Sequence, residues 1–290
     1  MPNPREIRRR IRSVRNMSQI TRAMEMVSAS KMRRAQERVQ ASRPYSELLH
    51  RVIADLSSLH LDAEELKQFP LLAERPVQRT ALIMITPDRG LTGALNSNIL
   101  RRGARYIREE ANVPVETIAV GKRGRDFLLR TRQEVVAEFL GLGDRPTLDE
   151  IRPIAEVAIQ DYLAEKVDAV HVVFPRFVNT LTQRPEMIKI LPITRPESDE
   201  EERREDYIFE PSPETVLEQL LPRYVEIQLY QAILEAIASE HSARMVAMRN
   251  ATDNAKELVD DLDLSLNKAR QAQITNEVAE IAAGANAFRV

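Results

Sequence analysis

Apolar residues recur at helical spacing at both ends of the chain and at strand spacing in its middle. Near the start, Ile7, Ile11 and Val14 are spaced four and three apart, and Ile20, Met24 and Val27 repeat that spacing. Each set is a coiled-coil seam. Val14 to Ile20 is six residues rather than seven, so the phase slips there and a strict long supercoil is not expected. The pattern continues through Met32, Ala35 and Val39, and neither proline nor glycine falls between Pro4 and Pro44. A first helix ending near Leu59 follows. From Glu214 onward the chain has no proline after Pro222 and one glycine, Gly284. Its seams are Leu217, Leu220, Tyr224 and Ile227, then Ile274, Val278, Ile281, Ala285 and Phe288. Small residues between them (Ala232, Ala236, Ser239, Ala243) let two backbones approach closely. At about 1.5 Å per residue this last helix is on the order of 100 Å long, a rod rather than a core helix.

Short β-rich runs occupy the middle: Thr80–Thr86, Val115–Val120, Glu134–Leu140, Asp168–Phe174 and Met187–Ile193. Helical stretches at about Leu95–Asn112, Lys122–Arg132 and Thr147–Lys166 separate the first four. Such alternation predicts a largely parallel sheet covered by helices. The last two runs have no helix between them and are expected to pair antiparallel through Pro175–Pro185. The fold class is therefore α/β: a long antiparallel coiled coil of N- and C-terminal helices plus a central Rossmann-like domain. The expected division is 1–60 for the first helix, 61–213 for the domain and 214–290 for the last helix.

Connectivity sets the geometry, because one helix runs into the domain and the other runs out. A shared seam obliges them to lie antiparallel. The last helix is longer by about 20 residues, an overhang on the order of 30 Å. Its tip has no partner within the chain, yet carries Val278, Ile281, Ala282, Ala285 and Phe288 with only Arg289 charged after Glu280. An apolar tip of this kind is an expected contact surface for another protein.

The net charge of -2 conceals an asymmetry: residues 1–43 carry +9 and residues 214–290 carry -5. Attraction between exposed charges favours pairing and orientation, while the apolar seam supplies affinity. With no cysteine, disulfides and thiolate chemistry are excluded, which fits an intracellular protein. No run of 18 apolar residues exists, so no membrane span is expected. Glu6 and the seam assign the Arg-rich opening, Arg5 to Arg15, to the mature fold rather than to a cleaved presequence.

Signals for catalysis are weak. Asp88-Arg89-Gly90-Leu91-Thr92-Gly93-Ala94 follows the first strand and opens a helix, where nucleotide-binding folds place a phosphate loop. It lacks the G-x-G-x-x-G spacing and the lysine of G-x-x-x-x-G-K-[ST], so it reads as a tight turn, as does Gly121-Lys122-Arg123-Gly124. His50, His60, His171 and His241 are scattered without metal-ligand spacing. No catalytic residue, metal or cofactor is expected.

Three segments are specific. Ile20-Thr21-Arg22-Ala23-Met24-Glu25-Met26-Val27-Ser28-Ala29-Ser30-Lys31-Met32-Arg33-Arg34-Ala35 closely resembles the N-terminal helix of the gamma subunits of F-type ATP synthases. So does Asp88-Arg89-Gly90-Leu91 with Gly93-Ala94-Leu95-Asn96. The strongest match is Ser239-Glu240-His241-Ser242-Ala243-Arg244-Met245-Val246-Ala247-Met248, with Ala251-Thr252-Asp253-Asn254-Ala255 and Asn267-Lys268-Ala269-Arg270-Gln271-Ala272 after it. The resemblance spans essentially the whole chain. It implies a rotor shaft inside a ring of alpha and beta subunits, with a foot meeting the epsilon subunit and the c-ring. It also implies beta-subunit contacts at Arg244, Arg270, Gln271, Thr275 and Glu277. The apolar tip adds Ile281 and Phe288 as alpha and beta contacts. Ile20, Met24 and Val27 are expected to pack inside the shaft, and Tyr207, Phe209 and Glu210 to belong to the foot. The family loop often has Cys where Thr92 stands, and chloroplast members carry a cysteine-bearing insert that this chain lacks. A bacterial-type protein without thiol regulation is implied, peripheral on the cytoplasmic face of the plasma (inner) membrane, its ring driven by protons or sodium. Two rival readings are an α/β nucleotide-binding enzyme using the Gly90 loop and a nucleic-acid-binding coiled coil using Arg5 to Arg15.

Overall fold

The computed structural model describes residues 4–58, 68–194, 210 and 212–287, with side chains through 53 and through 282 in the two long helices. The elements in chain order are α1 (Pro4–Ser58), β1 (Thr80–Ile85), α2 (Leu95–Arg105), β2 (Val115–Val120), α3 (Lys122–Arg130), β3 (Glu134–Phe139), α4 (Leu148–Leu163), β4 (Ala169–Phe177), β5 (Gln183–Leu191) and α5 (Pro213–Ala287). The described residues fall into two compact units, Ala29–Arg244 and Met1–Ser28 with Met245–Val290. These limits differ from the expected divisions near 60 and 213. The reason is that Ala35, Val39, Leu49 and Ile53 of α1 and Leu217, Leu221, Val225 and Ile233 of α5 share one core with the sheet.

In the larger unit the strands run in the order β3-β2-β1-β4-β5. The first four are parallel and β5 is antiparallel to β4. Every residue of β1 is buried, as expected of a central parallel strand covered on both faces. Its alternation sorts the core: Ala81, Ile83 and Ile85 face the layer of α4, α1 and α5, while Leu82 and Met84 face Leu95 and Ile99 of α2 and Leu128 of α3. α4 begins with a reciprocal capping box between Thr147 and Glu150.

Two boundaries differ instructively. β4 and β5 extend through the segment expected to connect them, with Pro175 opposite Pro185, leaving a turn at Val178–Thr182. Pro185 is on the edge strand, and β1 stops pairing with β4 at Val173, so neither proline interrupts an interior ladder. The stretch after α2 continues as a π-helical turn, Tyr106–Glu110, and ends at Asn112 with φ 54°. That turn places the Tyr106 hydroxyl 2.8 Å from His171 Nδ1 on β4, beside Thr80.

The heptad on α1 does not slip. Buried or half-buried positions run through Ile7, Ile11, Val14, Ser18, Thr21, Glu25, Ser28, Met32, Ala35, Val39, Ser42, Ser46, Leu49 and Ile53, an unbroken alternation of four and three. Of the three residues expected to pack inside the helix pair, Met24 is half-buried, but Ile20 and Val27 are 56% and 55% exposed. Their places in the seam belong to Thr21 and Ser28, whose small side chains allow closer helix approach.

In the smaller unit α1 and α5 are antiparallel. Glu25 pairs with Arg249 at 2.9 Å, Thr21 Oγ1 meets Thr252 Oγ1 at 2.7 Å, and Ile7 and Ile11 pack with Val259, Leu262 and Leu266. The Arg15–Asp263 pair at 3.0 Å is largely exposed and adds little, about 0–1 kcal/mol. Among the described residues nothing covers Gln273–Ala282. Ile281 there is 73% exposed.

His171 generates a prediction. Burial, with Lys189 and Arg102 nearby, lowers its pKa from 6.5 to about 4. Between those values the unfolded chain binds a proton that the folded chain refuses, so stability drains away as pH falls through that window and levels off below it. His171→Gln keeps an acceptor for Tyr106 and removes the titration. Urea unfolding of the full chain should lose up to about 3 kcal/mol of pH dependence in the variant, less if solvent screens the site.

Candidate functional site at the carboxyl edge of the sheet

Doubly wound sheets bind ligands outside the carboxyl ends of their strands. Here the three turns at that edge are engaged with one another. The Asp88 carboxylate, just after β1, accepts from the backbone N–H of Lys122 at 2.8 Å and of Gly141 at 3.1 Å. Thr86 Oγ1 accepts from Gly124 N at 2.7 Å. The α3 N-terminus, where positive peptide dipole would draw a phosphate, already holds an anion from the chain itself. The two glycine motifs are thus halves of one packed turn. Gly121 has φ 92°, and a Cβ there would lie 1.8 Å from Thr86 O.

α5 crosses the same edge. Ile233, Ala236, Ile237 and Glu240 cover Thr86, Asp88, Gly121, Phe139 and Gly141, leaving a cavity of about 50 Å³. That volume suits a water or two, whereas ligand sites run to about 300–1,000 Å³. The segment Ser239–Arg244 is then fastened to loops from three strands. Ser239 Oγ donates to Pro175 O at 2.8 Å and Ser242 Oγ to Thr180 O at 2.7 Å, both on the β4–β5 hairpin. The Arg244 guanidinium pairs with Glu240 at 2.5 Å and reaches Gly90 O at 3.4 Å. His241 Nε2 lies 3.0 Å from Asp144 Oδ1, in contact but not aligned as a hydrogen bond. Asp144 Oδ2 accepts from Lys31 Nζ at 2.6 Å, and its carbonyl accepts from Arg38 at 3.2 Å.

Electrostatics follow from this packing. Burial alone would raise the Asp144 carboxyl, but Lys31 and His241 hold it below the usual carboxylate range. Burial pushes His241 down against the pull of Asp144 and Glu240, favouring the neutral ring. Arg244 faces Nδ1 at 3.5 Å, which leaves Nε2 to carry the proton toward Asp144.

The residues singled out in the sequence do not converge. Arg244 is engaged within the fold: its side chain is 11% exposed and its guanidinium pairs with Glu240 and reaches Gly90 O. Glu240, four residues earlier on the helix, was the available signal. Arg270, Gln271, Thr275, Glu277 and Ile281 lie on exposed α5, with Thr275 Oγ1 bonded to Gln271 O and Gln273 Nε2 to Glu277. Glu210 is exposed; Tyr207, Phe209 and Phe288 lie outside the described residues. Among the described residues no His, Cys, Asp or Glu group could hold a metal ion, and no helix is long and apolar enough to cross a membrane. Sequence reasoning missed Asp88, Asp144 and Lys31, whose partners are remote in the chain.

The carboxyl edge of the sheet is thus closed by the chain's own helix α5, and Gln273–Ala282 of that helix are exposed. The family model described as ATP synthase matches residues 3–288. The chain is 58% identical to an ATP synthase gamma chain of Roseiflexus castenholzii over 291 residues, covering 99% of each. It is 54% identical to that of Herpetosiphon aurantiacus over 296 residues, again covering 99% of each. The chain belongs to the family of ATP synthase gamma chains. Its fold matches a chain in the Euglena gracilis mitochondrial ATP synthase assembly of OSCP, F1 and c-ring, with TM-score 0.69 at 20% identity over 98% of this chain and 94% of that one. A chain of the Euglena rotor matches with TM-score 0.66 at 21% identity, over 93% and 98%.

The packed turn can be tested by paired substitutions. Gly121→Ala meets backbone and a positive φ together and should cost at least about 3 kcal/mol. Gly93→Ala, at φ 57° with open space around it, should cost about 1 kcal/mol. Equal midpoints for both variants in denaturant unfolding would refute the packing argument.

Proposed function

We propose that the chain is the central rotor shaft of an F-type ATP synthase, a non-catalytic subunit coupling ion-driven rotation of a c-ring to ATP synthesis or hydrolysis in beta subunits. The driving ion is a proton or sodium. The observation carrying this reading is the bare helical segment Gln273–Ala282, in a helix whose stretch Leu217–Met245 is largely buried. In this reading alpha and beta subunits surround that segment, the sheet domain meets epsilon and the c-ring, and the protein is peripheral on the cytoplasmic face of the plasma (inner) membrane. Arg270, Gln271, Thr275 and Glu277 supply polar contacts to beta, and Ile281 with Phe288 an apolar bearing. Glu210, with Tyr207 and Phe209, belongs to the foot. The exposed faces of Ile20 and Val27 are free to meet the ring, and Arg244, mostly engaged by Glu240, has only a small exposed area for a beta contact.

No catalytic group on this chain is required. Two helices of different sequence cannot be threefold symmetric, so three surrounding subunits each meet a different face. As the shaft turns, each subunit meets those faces in sequence, and differences in contact free energy bias its open and closed states. Apolar contact has no preferred angle, which suits a bearing.

Replacing Arg270 and Gln271 together with alanine should remove charge-assisted bonds of about 1.5–3 kcal/mol each and lower ATP synthesis by the complex severalfold. Wild-type synthesis would count against their role. Ile281→Asp should lower the thermal stability of the complex by placing an unpaired carboxylate in the bearing, while Ile281→Leu should leave it near wild type. An unchanged inactivation temperature with Ile281→Asp would remove the bearing from the model of action.

A further inference from the structure

The loop Leu140–Thr147 between β3 and α4 is the least expected part of the carboxyl edge of the sheet. Gly141 and Gly143 adopt φ 72° and 71° with open space around both, conformations that turn the chain sharply back. Asp144 lies at the end of that turn. One carboxylate oxygen takes Lys31 Nζ of α1, the other faces His241 Nε2 of α5, and the Asp144 carbonyl takes Arg38 of α1. The neighbouring α5 positions Ser239, Ser242 and Ala243 are small, and Ala35 is the next fully buried residue on α1. Packing among such side chains is weakly directional and buries little area per residue. Ser239 and Ser242 fasten α5 alone to the β4–β5 hairpin, whereas the Asp144 carboxylate presents one oxygen to each helix and so restrains α1 and α5 together.

We propose that Asp144 is a positioning residue that pins α1 and α5 to the sheet at one level, so that torque passes between helix pair and domain through this contact. The proposal rests on the rotor reading for its torque, but the pinning itself is measurable in the isolated full chain. The Lys31 and Asp144 side chains are 40% and 43% exposed, so the restraint weakens with salt.

Three variants test it: Asp144→Asn, Lys31→Met and the two combined, with Asp144→Glu as the conservative control. In the full chain, amide exchange over residues 233–244 should rise roughly fivefold in Asp144→Asn at low salt, and the gap should narrow at high salt. In the reconstituted complex, ATP hydrolysis should stay near wild type while coupling ions pumped per ATP fall about twofold or more. The double variant should be no worse than Asp144→Asn, because both remove one contact. Asp144→Glu should retain most of the coupling. Unchanged exchange in Asp144→Asn overturns the pin. Faster exchange with undiminished pumping overturns its part in transmission. A wild-type chain that fails to restore pumping to a complex lacking its gamma chain overturns the rotor reading, and the proposal with it.

Discussion

The structure depends on one demand, the burial of α5 on nearly every side from Leu217 to Met245. A helix buried on most sides must be enclosed by other elements, and its polar side chains must find partners there. One side of α5 takes the sheet through Ile233 and Ile237, and another takes α1 through contacts such as Ser42 with Gln231 at 2.7 Å and His50 with Tyr224 at 2.9 Å. The core of the sheet therefore includes residues from both long helices, Ala35 to Ile53 and Leu217 to Ala238. The compact unit accordingly has its limits inside both helices, at Ala29 and Arg244.

Much of this was legible because it follows from local pattern. The β2 limits agree residue for residue with the run of β-branched and apolar side chains, and β1, α3 and α4 agree to within a few residues. Glycine and proline punctuation marked both long helices correctly, even though Pro44 and Pro222 lie inside them. The α1 seam was misread for a physical reason. Apolar side chains advertise a seam, but Thr21 and Ser28 occupy it while Ile20 and Val27 point outward, so hydrophobicity alone reported the wrong face.

The polar fastening was illegible for a different reason. Asp88 with Lys122 and Gly141, or Asp144 with Lys31 and His241, are joined across more than thirty to more than a hundred residues of chain. No local spacing encodes such pairs. The glycine loops were correctly read as turns, but what makes them so is the carboxylate of Asp88 at the α3 N-terminus, a tertiary fact. Arg244 shows the converse: an arginine in a family-specific motif suggested recognition of another molecule, and the structure gives it an internal partner.

The pairing of Ile7 and Ile11 with Val259 and Leu262 has a consequence during synthesis. These groups are separated by about 250 residues, so the N-terminal half of the pair leaves the ribosome long before its partner exists. At roughly 5–20 residues per second, its apolar stripe waits on the order of ten seconds or more without a mate. The serines and threonine within its seam, Ser18, Thr21 and Ser28, make that stripe less adhesive in the interval than unbroken leucine would be.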